Sequence, residues 1–518
     1  MTRSAFRVAA LVLLATLFAA NLYRAATQSI VHDEALTWQL YLAGPASAIF
    51  QYYDPNHHFL ATILFRISTT LFGDSEFALR LPTVLAGGWF FWTVFRLCEL
   101  LFGDGWFFLL GCAVLSLNPI LLDFLVAARG YGLAVAGLFW ALYEMLKWLD
   151  EGARGSAEIE LRKRLWKAAL GCSIAVAANL TLLMPVFVLA AAFCVLLLRK
   201  PDAIKPPESP PPASVRKKAK KAKPKTARGP ANPYAPFVNF VVPVVLLAIA
   251  FLLAAPIDLA RSQDFYVGTA AALKSLRNLM EVSFAYGNGF GVMQRIEQIW
   301  ANFALFFLPV AAATALIVAA IETRLVRSIL GVATLFSALA VVGSALLLAA
   351  AHLISGIPYP QDRTGIYFVP LASLAALGLA RMLAERPGVS RWMGGAVAIV
   401  LLSFALEFAA QWNVKSFWVW RYDIDTKRVF QALEAAPKPN SGPIRLGVSW
   451  IFEPAFNYYR VVRKATWMAP VERDGFDGAR QFYVVSPEDQ GSATLPKMKP
   501  IYKAPDSGAL LAVPQPAQ

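Results

Sequence analysis

Charge is scarce in this chain. Asp, Glu, Lys and Arg make up 16% of its 518 residues, against about 25% in a soluble globular protein. Histidine and cysteine occur only four times each. Cys98, Cys112, Cys172 and Cys194 all fall in apolar stretches without metal-ligand spacing, which excludes a disulfide framework and a thiolate cage. A nucleotide-type phosphate loop is also lacking. Tyr286-Gly287-Asn288-Gly289-Phe290-Gly291 has no strand before it and no Lys-Ser/Thr after it, so it reads as a flexible loop. What abounds is apolar surface, at 58% hydrophobic residues and a mean hydropathy of +0.52. Runs of about 18 or more apolar residues, each able to cross about 30 Å of hydrocarbon, recur from end to end. The fold class is mainly α, a polytopic transmembrane bundle.

The net charge of +15 is local rather than a nucleic-acid signature. Residues 199–228 hold eleven Lys/Arg against two acids. The surrounding stretch, 201–236, holds ten prolines and reads as a disordered cytosolic linker drawn to anionic lipid headgroups. It divides an N-terminal transmembrane module (1–200) from a second set of helices (237–412). Residues 413–518 contain no further span. There Ile444–Ser449 and Gln481–Val485 read as short strands, predicting a small extramembrane α/β or β-rich domain. Residues 5–23 follow a basic start without a clean small-residue cleavage site, so they read as an uncleaved first helix.

Lys and Arg gather on the cytoplasmic side of membrane proteins. Arg3 and Arg7 therefore place the N-terminus inside and the first loop, 27–56, outside. The basic stretch 150–167 and the linker lie inside, and 257–298, 352–363 and 413–518 lie outside. Four apolar segments, 57–72, 78–97, 104–122 and 129–149, stand between an outer and an inner loop, one too many for parity. The short segment 57–72 is the one expected not to cross, leaving about eleven spans.

The polar residues that do occur collect near the outer face. His32, Asp33 and Glu34 follow the first helix, where ionised carboxylates are costly unless they have a task. With them go Asn56, His57 and His58, Arg129 and Tyr131, and Asp362 and Arg363. A carboxylate can accept the proton of a hydroxyl nucleophile. Arg and His can hold a phosphate and stabilise it as a leaving group. On a helix Asp33 and Glu34 point about 100° apart, which predicts separate roles: Asp33 as base, Glu34 as orienter or occasional metal ligand. Asp, Glu and His ligands for a divalent metal ion are at hand, so metal binding stays open, but their spacing matches no compact motif and signals no certain cofactor. Trp38, Tyr41, Trp412, Trp418 and Trp420 suit an interfacial aromatic belt.

These residues carry a resemblance. His32-Asp33-Glu34-Ala35 resembles the acidic motif of the first outer loop in GT-C membrane glycosyltransferases. Phe72-Gly73-Asp74-Ser75-Glu76-Phe77-Ala78-Leu79-Arg80-Leu81-Pro82 is similar to a stretch of the branch holding protein O-mannosyltransferases and lipid A aminoarabinose transferases. Ser116-Leu117-Asn118-Pro119, then Ala127-Ala128-Arg129-Gly130-Tyr131, is similar to that branch's next block. The likeness is densest over 28–145. It implies a polyprenyl-phosphate-linked sugar donor and inverting transfer at the periplasmic face of a bacterial inner membrane. The acceptor it implies is a glycolipid, envelope glycan or protein. Asp33 matches the catalytic acid position, and His57, His58, Arg129 and Arg363 are candidates for the donor phosphate. His57-His58 stands where some relatives carry Lys, and the carbohydrate-binding insert of protein mannosyltransferases is missing. A transporter or flippase of a lipid-linked sugar is the alternative, although such proteins keep charges near mid-membrane.

Overall fold

The computed structural model describes residues 3–198, 232, 234–259, 268–287, 292–321, 328–438, 442–477, 480–492, 495 and 497–515. Nearly all of the linker 201–236 lies outside them, as do Arg324, Arg327 and residues 288–291 of the glycine loop.

Helix α1 (Arg3–Thr27) leads into the short α2 (His32–Thr37), a π-helical turn and α3 (Ala48–Gln51). Next come α4 (Phe59–Phe72), α5 (Glu76–Phe102), α6 (Trp106–Ser116) and α7 (Pro119–Phe124). Then follow α8 (Gly130–Ala153), α9 (Glu158–Ala178), α10 (Leu183–Leu198) and α11 (Ala235–Ala254). The second half holds α12 (Ala272–Phe284), α13 (Val292–Ile321), α14 (Ile329–Ser355), α15 (Phe368–Ala384) and α16 (Val389–Gln411). A two-residue ladder, β1 (Gly268–Thr269) with β2 (Tyr359–Pro360), ties the loop before α12 to the loop after α14.

Among the described residues, nine helices are long and apolar enough to cross a membrane. Two more passages complete the bundle. Arg7 of α1 pairs with Glu99 and Asp104, so the C-terminal end of α5 lies beside the start of α1. Asp123 of α7 pairs with Arg24, so α6 and α7 together return to the other end. The chain breaks between them because Pro119 has no N–H to give a continuing helix, and the Asn118 side chain caps the new one through Leu121 N. Helix α9 is the second: Arg164, near its start, pairs with Glu144 and Glu151, and Ala178, at its end, packs on Gly130. At 14 residues, α4 spans about 21 Å, too short for about 30 Å of hydrocarbon. It packs back against α5. The segment 57–72 is thus the one that breaks parity, as its length predicts.

The tail carries α17 (Thr426–Ala435), β3 (Leu446–Val448), α18 (Glu453–Val462), β4 (Phe482–Val485), β5 (Met498–Lys503) and β6 (Leu510–Pro514). The strand order is β3-β4-β6-β5, with only the β3–β4 pair parallel. Both strands read from the sequence are present. Its apolar face does not close on itself. Phe430, Phe456, Tyr458 and Leu511 share one buried cluster with Ile30, Trp38, Tyr41 and Leu79. The tail therefore caps the loop that carries His32, Asp33 and Glu34.

Candidate active site

Arg24, at the end of α1, donates to Asp123 at 2.5 Å, and Tyr286 and the Trp418 N–H bond the same carboxylate at 2.6 and 2.7 Å. This buried knot fixes where the chain emerges into the segment 28–34. Helix α2 starts four residues on and turns its two carboxylates apart.

Glu34 points inward and is fully buried. Oε1 accepts from Arg80 Nε at 2.9 Å and from Ala128 N at 2.7 Å. Oε2 accepts from Arg80 Nη2 at 2.6 Å and from Val31 N at 3.1 Å. Arg80 also donates to the Gln28 and Ser29 carbonyls. This bidentate pair clamps α2 to α5 and to the turn before Arg129. Glu34 is not on a cavity surface, and protein donors hold both its oxygens.

Asp33 points the other way, toward two guanidinium groups. Arg363 Nη2 lies 3.1 Å and Arg129 Nη2 3.6 Å from Asp33 Oδ2. Burial opposes its ionisation, but Arg129, Arg363, His32 and a hydrogen bond from Trp420 outweigh it, so the carboxyl is held below its usual range. The Trp420 ring also lies under the Arg363 guanidinium, 5.7 Å to its centroid. Arg129 is poorly matched: its Nε is buried without a partner, and Nη1 reaches only Thr37 Oγ1, at 3.4 Å. One carboxylate thus faces two cations, an arrangement that invites an anion.

Arg129 sits just before α8, whose first residue must be glycine. A Cβ on Gly130 would stand 2.0 Å from the Ala178 carbonyl and 2.7 Å from the His58 Cβ. Arg363 is placed by Asp362, whose backbone takes the left-handed φ of 49°. Asn278 of α12 holds that turn, accepting from Asp362 N at 2.6 Å and donating to its Oδ1 at 2.8 Å.

The two arginines open onto a cleft of about 950 Å³, its open mouth included, lined by Asn56, His57, His58, Arg129, Tyr131, Asp362 and Arg363. Seven residues expected from the sequence thus come together from three separate segments of the chain. Asp33 stands behind the arginines. His32 is turned away: its Nδ1 donates to the Ile451 carbonyl at 2.7 Å and its backbone N–H to Asp423. Burial pushes the His57 imidazole down to about 4 and that of His58 well below its usual value. Both are neutral near pH 7, so they offer a phosphate hydrogen bonds but no charge. His57 stacks on Tyr41 at 4.3 Å.

Sequence reasoning missed Arg80, Asn179, Thr181 and Trp420. Arg80 lay in a quoted motif and signalled itself as a lone cation in an apolar run. The belt reading is corrected for Trp38, Tyr41 and Trp420, which are buried inside the protein. Trp38 Nε1 donates to Asp74. Among the described residues no three His, Cys, Asp or Glu side chains converge as a metal site would require, and the Asp33–Glu34 pair, so occupied, does not fit one.

No protein-family model matches the chain, and no curated protein does. Solved structures do. ArnT from Cupriavidus metallidurans in the apo state is 12% identical with a TM-score of 0.48, covering 97% of each chain. The oligosaccharyltransferase AglB from Archaeoglobus fulgidus, solved with an inhibitory peptide and a dolichol-phosphate, is 12% identical with a TM-score of 0.41. That match covers 93% of this chain and 70% of that one. The arabinofuranosyltransferase AftD from Mycobacteria is 12% identical with a TM-score of 0.44, covering 99% and 42%. Similarity this distant carries no argument about the chemistry, which must come from the site.

Proposed function

We propose that this protein is an integral-membrane glycosyltransferase. It moves a sugar from a polyprenyl-phosphate donor to a glycolipid, envelope glycan or protein acceptor, at the periplasmic face of a bacterial inner membrane. The observation that carries this reading is the carboxylate of Asp33, held between the buried Arg129 and the half-buried Arg363 at the back of a cleft beside the membrane helices. Arg129 and Arg363 take the donor phosphate. As they turn to it their pull on Asp33 weakens, burial dominates, and the carboxylate becomes a stronger base. Asp33 then accepts the proton of the acceptor hydroxyl, whose oxygen attacks the sugar carbon. The bond from that carbon to the phosphate oxygen breaks, its electron pair leaves with the phosphate, and the carbon inverts. The arginines stabilise the charge that develops on the leaving group. Glu34 acts as the orienter.

The test is Arg363→Ala in purified enzyme. A lost charge-assisted hydrogen bond is worth about 1.5–3 kcal/mol, so donor KM should rise at least about tenfold while acceptor KM stays within about twofold. An unchanged donor KM would remove Arg363 from the phosphate site.

A further inference from the structure

The cationic side of the cleft leaves the facing wall unexplained. The turn Asn179–Thr181 joins α9 to α10, and the carbonyl of Ala178 just before it abuts Gly130, next to Arg129. Asn179 is 3% exposed. Its Oδ1 accepts from Thr181 N at 3.0 Å, which orients the amide. Asn179 Nδ2 and Thr181 Oγ1 are buried and find no partner in the protein, and the same holds for both ring nitrogens of His57 and for Nε2 of His58. A buried polar group left unpaired keeps its desolvation penalty uncompensated, so several in one wall call for a ligand that supplies the bonds. All four residues line the cleft that Arg129 and Arg363 line. The wall is uncharged, since burial keeps both imidazoles neutral. Asp362 is the one carboxylate among the described lining residues, and Asn278 occupies its Oδ1. None of the four wall residues carries a carboxylate that would balance an ammonium group.

We infer that Asn179, Thr181, His57 and His58 form the sugar subsite, and that it selects a neutral polyhydroxylated sugar over an amino sugar. The inference rests on the polyprenyl-phosphate reading above. Asn179 and Thr181 are specificity-determining residues in it, hydrogen-bonding sugar hydroxyls next to the phosphate.

The experiment measures binding to the full-length protein in nanodiscs, with three probes: polyprenyl phosphate, polyprenyl-phosphate mannose and polyprenyl-phosphate aminoarabinose. Wild-type protein should bind the mannose lipid about tenfold tighter than the bare phosphate, equivalent to about 1.4 kcal/mol, and should gain nothing from the amino sugar. Asn179→Ala with Thr181→Val should erase that tenfold gain and leave bare-phosphate affinity within twofold. Asn179→Asp keeps the acceptor for Thr181 N and adds a charge, so it should shift preference toward the amino sugar by at least about fivefold. A mannose gain retained in the double variant, or an amino-sugar lipid bound as tightly as the neutral one by wild type, overturns the subsite. Failure of wild type to bind bare polyprenyl phosphate is a different result. It overturns the donor reading, and the subsite with it.

Discussion

Replacing Glu34 by Gln separates the two adjacent carboxylates by experiment. The change keeps the side chain's shape and removes its charge. Arg80, fully buried, then loses its counter-charge and, of the bonds at 2.9 and 2.6 Å, keeps at most one, to the neutral amide oxygen, beside its backbone carbonyl acceptors. Breaking a buried ion pair by removing one partner costs about 3–5 kcal/mol. The amide nitrogen would also meet either Arg80 or one of the N–H groups of Val31 and Ala128, donor against donor. A loss of that size is a large part of a protein's stability. Thermal unfolding in detergent, followed by intrinsic tryptophan fluorescence, should show a transition several degrees lower, with activity lost at the same temperatures. Glu34→Gln with Arg80→Met should lose less than the two single changes together, because the pair is coupled. A Glu34→Gln protein that melts like wild type yet transfers no sugar would place Glu34 in the chemistry and refute its role as a clamp.

Two further outcomes follow from the same geometry. His57 titrates at about 4 in the folded protein and at 6.5 as a free side chain. Between those values the unfolded chain binds a proton that the folded one does not, so stability falls as pH falls from 6.5 to 4, by about 3 kcal/mol for this group. Melting curves of wild type and His57→Gln across that window should diverge, and parallel pH slopes would contradict the burial of a neutral imidazole. Deleting residues 206–228 should leave transfer rates within about twofold, since the cleft is built by other segments; a well-inserted but inactive deletion would show that the linker takes part in catalysis.

The bundle is legible in the sequence because span length and loop charge are local properties. The short α4 shows in the sequence for the same reason: it is too short to cross. The 104–122 segment reads as one helix, and its break needs the Asn118 cap and Pro119 to be weighed against a strong apolar run. In the tail, β3 and β4 are buried apolar runs and stand out. β5 is mostly exposed, reads Lys-Pro-Ile-Tyr-Lys at its end, and gives no such signal. Most of the site's cations and carboxylates are visible because charge is rare on this chain. Asn179 and Thr181 are not, since an amide and a hydroxyl in an apolar turn look like ordinary capping residues. Trp420 is hidden for another reason. Its partners Asp33 and Arg363 are far away in sequence, and an aromatic at a span end suits the membrane interface equally well.

The central claim is that Asp33 is the base of a lipid-linked sugar transfer. Its most direct test is mass spectrometry of membrane glycans and lipids from a strain carrying Asp33→Asn, beside wild type, with the variant shown to be inserted and folded. The account predicts loss of one sugar from a glycolipid, polymer or protein, with the polyprenyl-phosphate donor accumulating. A folded Asp33→Asn protein that sustains the full wild-type profile, where a deletion strain does not, would contradict it.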